Sequence, residues 1–233
     1  MDKSRTGLGL AIMAGLIVLG VMLPVTASKL KSYDRTVNVK GLCEKEVKAD
    51  KAIWPLVFKA VGNDLATVYS QMESNCAVIK EFLVKGGISE NEISVSAPAI
   101  SDKFAQEYGS NDRTFRYVAK TTVTVCTKDV DKVLALMSDQ MSLVRKGITL
   151  ESDWDARTEF SYESLNDIKP EMIEEATRNA REVAQKFAQD SESKLGKIKQ
   201  ASQGTFSIED RDSNTPYIKK VRVVTSVVYY LKK

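Results

Sequence analysis

The stretch PEMIEEATRNAREVAQKFA at residues 170–188, followed by KLGKI at residues 194–198, decides how this chain is built. Ile173, Ala176, Ala180, Val183, Ala184, Phe187 and Ala188 recur at three- and four-residue spacing, the period of one helical stripe. Pro170 is expected in the first turn, where a missing N–H has no helical partner to lose. Glu171, Glu174 and Glu175 then lie near the positive end of the helix dipole. So many small residues in one stripe permit close packing on a sheet or on another helix. Leu195-Gly196-Lys197-Ile198 opens a strand after it.

Towards the C-terminus a polar loop holding Asp210, Arg211, Asp212 and Pro216 precedes a β-branched run from Val221 to Val228 and the ending Tyr229-Tyr230-Leu231. Towards the N-terminus, residues 147–150 and 158–162 read as the two strands of a hairpin. Asp129 caps a helix whose inner face is Val130, Val133, Leu134, Met137 and Met141. Phe115, Tyr117, Ala119, Thr121, Val123 and Val125 share one face of a long strand. Residues 101–112 read as a loop, and Ile93, Val95 and Ala97 as a short strand. Asn63-Asp64 caps a helix carrying Leu65, Val68, Met72, Cys76, Ile79, Phe82 and Leu83, which ends at Gly86-Gly87. Residues 52–61 form an apolar strand that Pro55 marks as an edge or bulged one. Residues 36–41 form a short strand stopping at Gly41. The body over residues 36–233 is therefore expected to be α+β, a largely antiparallel sheet with three amphipathic helices on one side. A strand–strand–helix–strand order occurs twice in it and is consistent with two related halves.

Before the body come a basic start at residues 1–6, an apolar segment at residues 7–27 and a spacer at residues 28–35. Residues 7–25 carry no charged side chain. That length suits a membrane-crossing anchor helix of roughly 20 residues, against a signal-peptide core of about 7 to 15. Pro24 and the small residues of Val25-Thr26-Ala27 support the second reading, a cleaved signal. Lys3 and Arg5 before the segment nearly balance Lys29, Lys31 and Arg35 after it, so charge alone does not orient it. The short leading segment favours export of the body.

The 233 residues contain no histidine, which excludes the usual catalytic triads, His–Cys dyads and imidazole metal sites. A formal charge of +3 from 34 basic and 31 acidic residues gives no nucleic-acid footprint. There is no GxGxxG, Walker loop, GxSxG elbow or HExxH, so no catalytic residue, cofactor or metal site is assigned. The pair Glu174/Glu175 reads as a solvated helix start, and Asp153-Trp154-Asp155 as turn chemistry. Glu209-Asp210-Arg211-Asp212 reads as mutually neutralising surface charge. Lys219, Lys220 and Arg222 form a basic cluster of the sort that anionic lipid attracts. Trp54 reads as core. Among the three cysteines, Cys76 lies on an apolar helical stripe and reads as a small buried hydrophobe. Cys43 and Cys126 lie near strand ends and are the candidates for a reactive thiol or for one disulfide.

Several stretches taken together resemble one family. They are Val37-Asn38-Val39-Lys40-Gly41 with Glu44-Lys45-Glu46, Ala52-Ile53-Trp54, and Gly86-Gly87-Ile88 running to Glu92-Ile93-Ser94-Val95. Thr122 to Val125 with Asp129-Val130-Asp131-Lys132-Val133 follow, then the alanine-rich helix leading into Leu195-Gly196-Lys197. The order is similar to that of the SIMPL-domain family of bacterial envelope proteins, which has periplasmic stress-associated members and an immunogenic periplasmic member from Brucella. The resemblance implies an exported or membrane-anchored protein, linked to envelope or oxidative stress, that assembles into a homo-oligomer and has no agreed catalytic residues. The leading expectation is thus a non-enzymatic envelope protein, anchored in the inner membrane through residues 7–25 with its body in the periplasm. It self-associates through sheet edges or the alanine-rich helix. Cleavage of the segment leaves a periplasmic protein. The alternatives are a monomeric binding module using residues 101–112 and 209–216, with an unknown ligand, and a thiol antioxidant using Cys43 or Cys126.

Overall fold

The computed structural model describes residues 13–20, 22, 35–105, 114–151 and 156–232. In chain order the elements begin with α1 (residues 13–20), β1 (Thr36–Lys48), β2 (Lys51–Gly62) and α2 (Leu65–Lys85). A 3-10 turn (Glu90–Glu92), β3 (Ile93–Val95), β4 (Ala99–Asp102), β5 (Tyr117–Thr127), α3 (Val130–Ser138) and α4 (Met141–Arg145) follow. The chain continues through β6 (Leu150–Glu151), β7 (Glu159–Ser161), α5 (Leu165–Asp190), β8 (Lys194–Gln203), β9 (Ser207–Asp210) and β10 (Ile218–Lys232). The expected α+β class with antiparallel pairing is what these elements form. The segment at residues 7–27 lies largely outside the described residues. Among the described residues no helix is long and apolar enough to cross a membrane.

Two compact units share the chain. The first draws its described residues from Met1–Lys45, Asn166–Ser207 and Val221–Lys233, the second from Glu46–Leu165 and Ile208–Lys220. The strand–strand–helix–strand order does occur twice, as β1-β2-α2-β3 and β6-β7-α5-β8, yet the units do not follow it. They are interleaved rather than consecutive halves.

In the second unit β2 is a central strand. It pairs with β5 over its full length, from Ala52 opposite Thr127 to Gly62 opposite Tyr117. On its other side β7 pairs with Lys51, Ala52 and Ile53, and β6 with Val57 and Phe58. Pro55 falls in the gap between those two short partners. The sheet thus accommodates a residue without an N–H by interrupting the neighbouring ladder, not by placing the strand at an edge. The expected hairpin of residues 147–150 with 158–162 does not form, because both strands take successive stretches of the same β2 edge. Alternation along β2 and β5 buries Trp54, Leu56, Phe58, Ala119, Val123 and Val125 in one core with Val68, Ile79 and Leu83 of α2. Phe115, placed in the same strand by its spacing, precedes β5 and is exposed.

The caps are where the sequence places them. Asp64 accepts a hydrogen bond from the Thr67 amide at 2.8 Å, and Asp129 one from the Lys132 amide at 3.3 Å. Gly86 ends α2, and Gly87 takes φ 88°, a left-handed conformation that a side chain resists. The helix after Asp129 is shorter than expected. It stops at Ser138, Leu136 turns inward, and Met141 starts a second short helix with its side chain exposed.

In the first unit β1 does not stop at Gly41 but runs on to Lys48. The sheet order is β1-β10-β8, with β8 and β10 antiparallel. Helix α5 buries Met172, Ala176, Ala180, Ala184 and Ala188, every fourth residue. A Cβ at Gly41 would overlap the Ala176 carbonyl oxygen and stand 2.5 Å from the Ala180 nitrogen. Backbone therefore packs on backbone. At that separation only the alanine row fits between helix and sheet, which leaves Val183 and Phe187 exposed, contrary to the expected stripe. Ile173 is half-buried beside it. The Asn179 amide reinforces the contact by donating to the Leu42 carbonyl at 2.9 Å.

Pro170 is inside α5, not in its first turn. The helix starts earlier, at Leu165, and the turn that leads into it is held by the Asp50 carboxylate, which accepts from the Glu163 and Ser164 amides, each at 2.8 Å. Burial pushes the Asp50 carboxyl up, but the hydrogen bonds from Ser164 and Glu163 outweigh it and hold the carboxyl below its ordinary value.

Two predictions follow from these contacts. Gly41→Ala should destabilise the protein by about 3 kcal/mol or more in chemical denaturation, since two backbones must separate to admit a methyl. Asp50→Ala should cost about 1 to 3 kcal/mol, because it removes the charged acceptor of two backbone amides in the turn before α5. Because the folded pKa is lowered, that gap should be present above the unfolded carboxylate value of 3.8 and close as pH falls below it.

Candidate functional site

Within the second unit the sheet is wider than its helical cover. Val95 of β3 stands opposite Val123, and Ile100 of β4 opposite Ala119, so each pair shares the inward face. Val123 and Ala119 are fully buried, whereas Val95 is 40% and Ile100 43% exposed. Helix α2 lies over β2 and β5 and stops short of that edge. The uncovered strip forms a cleft of about 360 Å³. Tyr69, Glu73, Cys76 and Lys80 of α2 line one wall, and Val95, Ser96 and Pro98 the other, with Met72 and Thr121 beneath. A recess of about 460 Å³ lined by Lys80, Val84, Glu90 and Ile93 adjoins it, and Lys80 belongs to both.

The hydroxyls of Ser96 and Thr121 are already engaged. Thr121 Oγ1 donates to the Ser96 carbonyl at 2.8 Å, and Ser96 Oγ accepts from the Thr122 amide at 3.1 Å. Neither asks for a ligand atom. Lys80 and Glu73, by contrast, make no ion pair among the described residues. Burial pushes the Cys76 thiol above its ordinary pKa, with Glu73 assisting and Lys80 opposing. Cys76 is half-buried at the cleft wall rather than sealed in the core.

Cys43 is the buried thiol of the first unit, on β1 beneath α5. Its Sγ donates to Glu175 Oε2 at 3.2 Å. Burial pushes its pKa up from 9.0 to about 11, and the hydrogen bond to Glu175 and the charges of Glu175 and Glu171 act in the same direction. Lys45 opposes them but is paired with Glu171 at 2.7 Å. A thiol held protonated is a poor nucleophile. Cys126 on β5 is exposed, and all three cysteines are free thiols. Cys43 belongs to the first unit and Cys126 to the second.

The other sequence candidates fall in ordinary surroundings. Glu174 is exposed, and Glu175 serves Cys43. Asp153, Trp154 and Asp155 lie outside the described residues. Residues 209–216 begin as strand β9, and their charges are internally matched: Arg211 pairs with Asp212 and Glu46, and Asp210 with Lys219. Asp212 also accepts from the Thr215 hydroxyl and from the Asn214 and Thr215 amides, which together with Arg211 hold its carboxyl far below the carboxylate range. Arg222 pairs with Glu44, and Lys219 is buried, so the basic cluster is largely neutralised. Residues 101–102 of the other expected loop belong to β4, and residues 106–113 lie outside the described residues. Trp54 is core. The α2–β3 cleft escaped the sequence reading because strand order, not any motif, creates it. The stripe of Leu65, Tyr69, Glu73, Cys76 and Lys80 beside the buried one was its only trace.

The family model described as SIMPL, protein of unknown function (DUF541), matches residues 37–229, and the chain belongs to that family. The description assigns no reaction. No curated protein matches the chain.

Cys126 should react with a thiol reagent in the folded protein at pH 8 while Cys43 remains unmodified until the protein unfolds. Peptide mapping after timed alkylation checks this, and equal rates would contradict the buried position of Cys43. Because the folded pKa of Cys43 is raised, its contribution to stability should decline as pH rises from 9.0 to about 11.

Proposed function

We propose that this SIMPL-family chain is a non-enzymatic envelope protein whose copies assemble through the open edge of the first unit's sheet. Residues 7–25 anchor it in the bacterial inner membrane and the body occupies the periplasm. The apolar length of that segment supports the anchor. Assembly is carried by one observation. Strand β8 is ten residues long and pairs only with β10 among the described residues, and most of it is exposed. Its outer row of N–H and C=O groups is available to a second strand.

Apolar side chains lie in the same unit. Ile198 of β8 stands opposite the buried Tyr229, so it shares the face on which α5 packs, and it is 50% exposed. Val183 and Phe187 of α5 are exposed as well. Lys194, Lys197 and Lys199 on the edge strand discourage indiscriminate pairing and favour a partner of matched register. The alanine row is not the assembly surface, because it is occupied by Gly41 and β1. A thiol-based antioxidant role has little support from Cys43, which is buried and held protonated. The family's link to envelope stress fits a scaffold of this kind.

The full-length protein extracted in detergent should sediment as a discrete oligomer, and Ile198→Lys should shift it to smaller species without unfolding it. A strict monomer at high concentration would overturn the assembly reading. The intact mass of the same sample distinguishes a retained anchor from a cleaved signal.

A further inference from the structure

The geometry points to the α2–β3 cleft of the second unit as a binding site for a single-chain amphiphile bearing one carboxylate, with the carboxylate paired to Lys80. This reading is independent of assembly through β8. Three observations carry it. The cleft has an apolar floor and walls, Met72, Val95 and Pro98, left uncovered because the sheet extends past α2. The hydroxyls nearest its middle, Ser96 and Thr121, are satisfied by each other's backbone surroundings, which leaves the exposed Tyr69 at the far end of the cleft as its other hydroxyl. Its cation, Lys80, makes no ion pair among the described residues and stands where the cleft joins the adjacent recess.

Charge fixes the polarity of the occupant. From Tyr69 to Lys80 the cleft runs along α2 for about 16 Å at the helical rise of about 1.5 Å per residue. A carboxylate at Lys80 directs the apolar chain over Met72 and Val95 towards Tyr69. Glu73 flanks that path, about 10 Å from Lys80 along the axis, and disfavours a second anionic group at the tail end. An apolar chain gains about 0.8 kcal/mol for each methylene removed from water. The exposed ion pair adds less energy than the chain does and supplies the selectivity. A cleft of about 360 Å³ is within the range of small-molecule sites.

Cys76 sits in the wall and reports occupancy. The experiment uses the full chain held in a fluorinated surfactant, which mixes poorly with hydrocarbon chains. Alkylation of Cys76 is followed by peptide mass spectrometry with decanoate, decanol or decylamine added. Decanoate should slow the reaction several-fold and saturably, while decanol and decylamine should give little protection. Lys80→Glu, a change at an exposed side chain, should abolish protection by decanoate and confer it on decylamine, with thermal unfolding unchanged. No protection by decanoate would overturn the proposal. Equal protection by all three probes, or protection that survives Lys80→Glu, would overturn it too, because either result means unspecific partitioning of apolar chains.

Discussion

The approach of β1 to α5 at Gly41 is the contact on which the first unit depends. It sets the distance between helix and sheet at a value that admits backbone and little else. Everything on that side follows. The helix can present only alanine at positions 176, 180, 184 and 188, with the longer Met172 one turn before them. The i±4 row is inclined to the helix axis, so a single file of small residues can follow a twisted sheet across several turns. The larger apolar residues of the same helix are left facing outward. A contact that looks like a local tightness therefore decides which surface the unit offers to others.

The second unit makes the opposite arrangement, with a generous sheet and a narrower cover. Its helix packs with long side chains, Val68, Met72, Ile79 and Leu83, over the two central strands. The flanking strands β3 and β4 keep two inward-facing apolar residues, Val95 and Ile100, that remain exposed among the described residues. In the first unit the unmatched apolar surface lies on the outside of a helix, and in the second it lines a cleft beside one. Two different chemistries of contact are thereby available to one chain, one broad and one enclosed.

Much of this was legible from residue order. Asp64 and Asp129 as caps, Gly86-Gly87 as a stop, and the alternation of β2 and β5 all rest on local rules that the fold obeys. The misreadings share a cause. Read alone, Gly41 marks a strand end and Pro55 an edge or bulged strand, because each breaks a local pattern. In the structure, long-range partners explain both: a helix that needs the glycine's missing side chain, and a gap between β6 and β7 that tolerates the missing N–H. The start of α5 is not legible in residue order, because the carboxylate that holds the turn leading into it, Asp50, is more than a hundred residues away in sequence. Likewise Cys43 was visible as a thiol but not as a thiol under a glutamate. The cleft depended on strand order, which periodicity does not encode.

The position of β10 has a consequence for how the protein comes into being. It is the strand between β1 and β8, and it is made after both of them. Until its fifteen residues have emerged, the sheet has two flanks and no middle. Strand β1, made early, must wait unpaired by β10 through the synthesis of nearly everything else. The first unit's sheet is thus closed by a strand synthesised after both of its neighbours, like an arch that stands only when the keystone arrives.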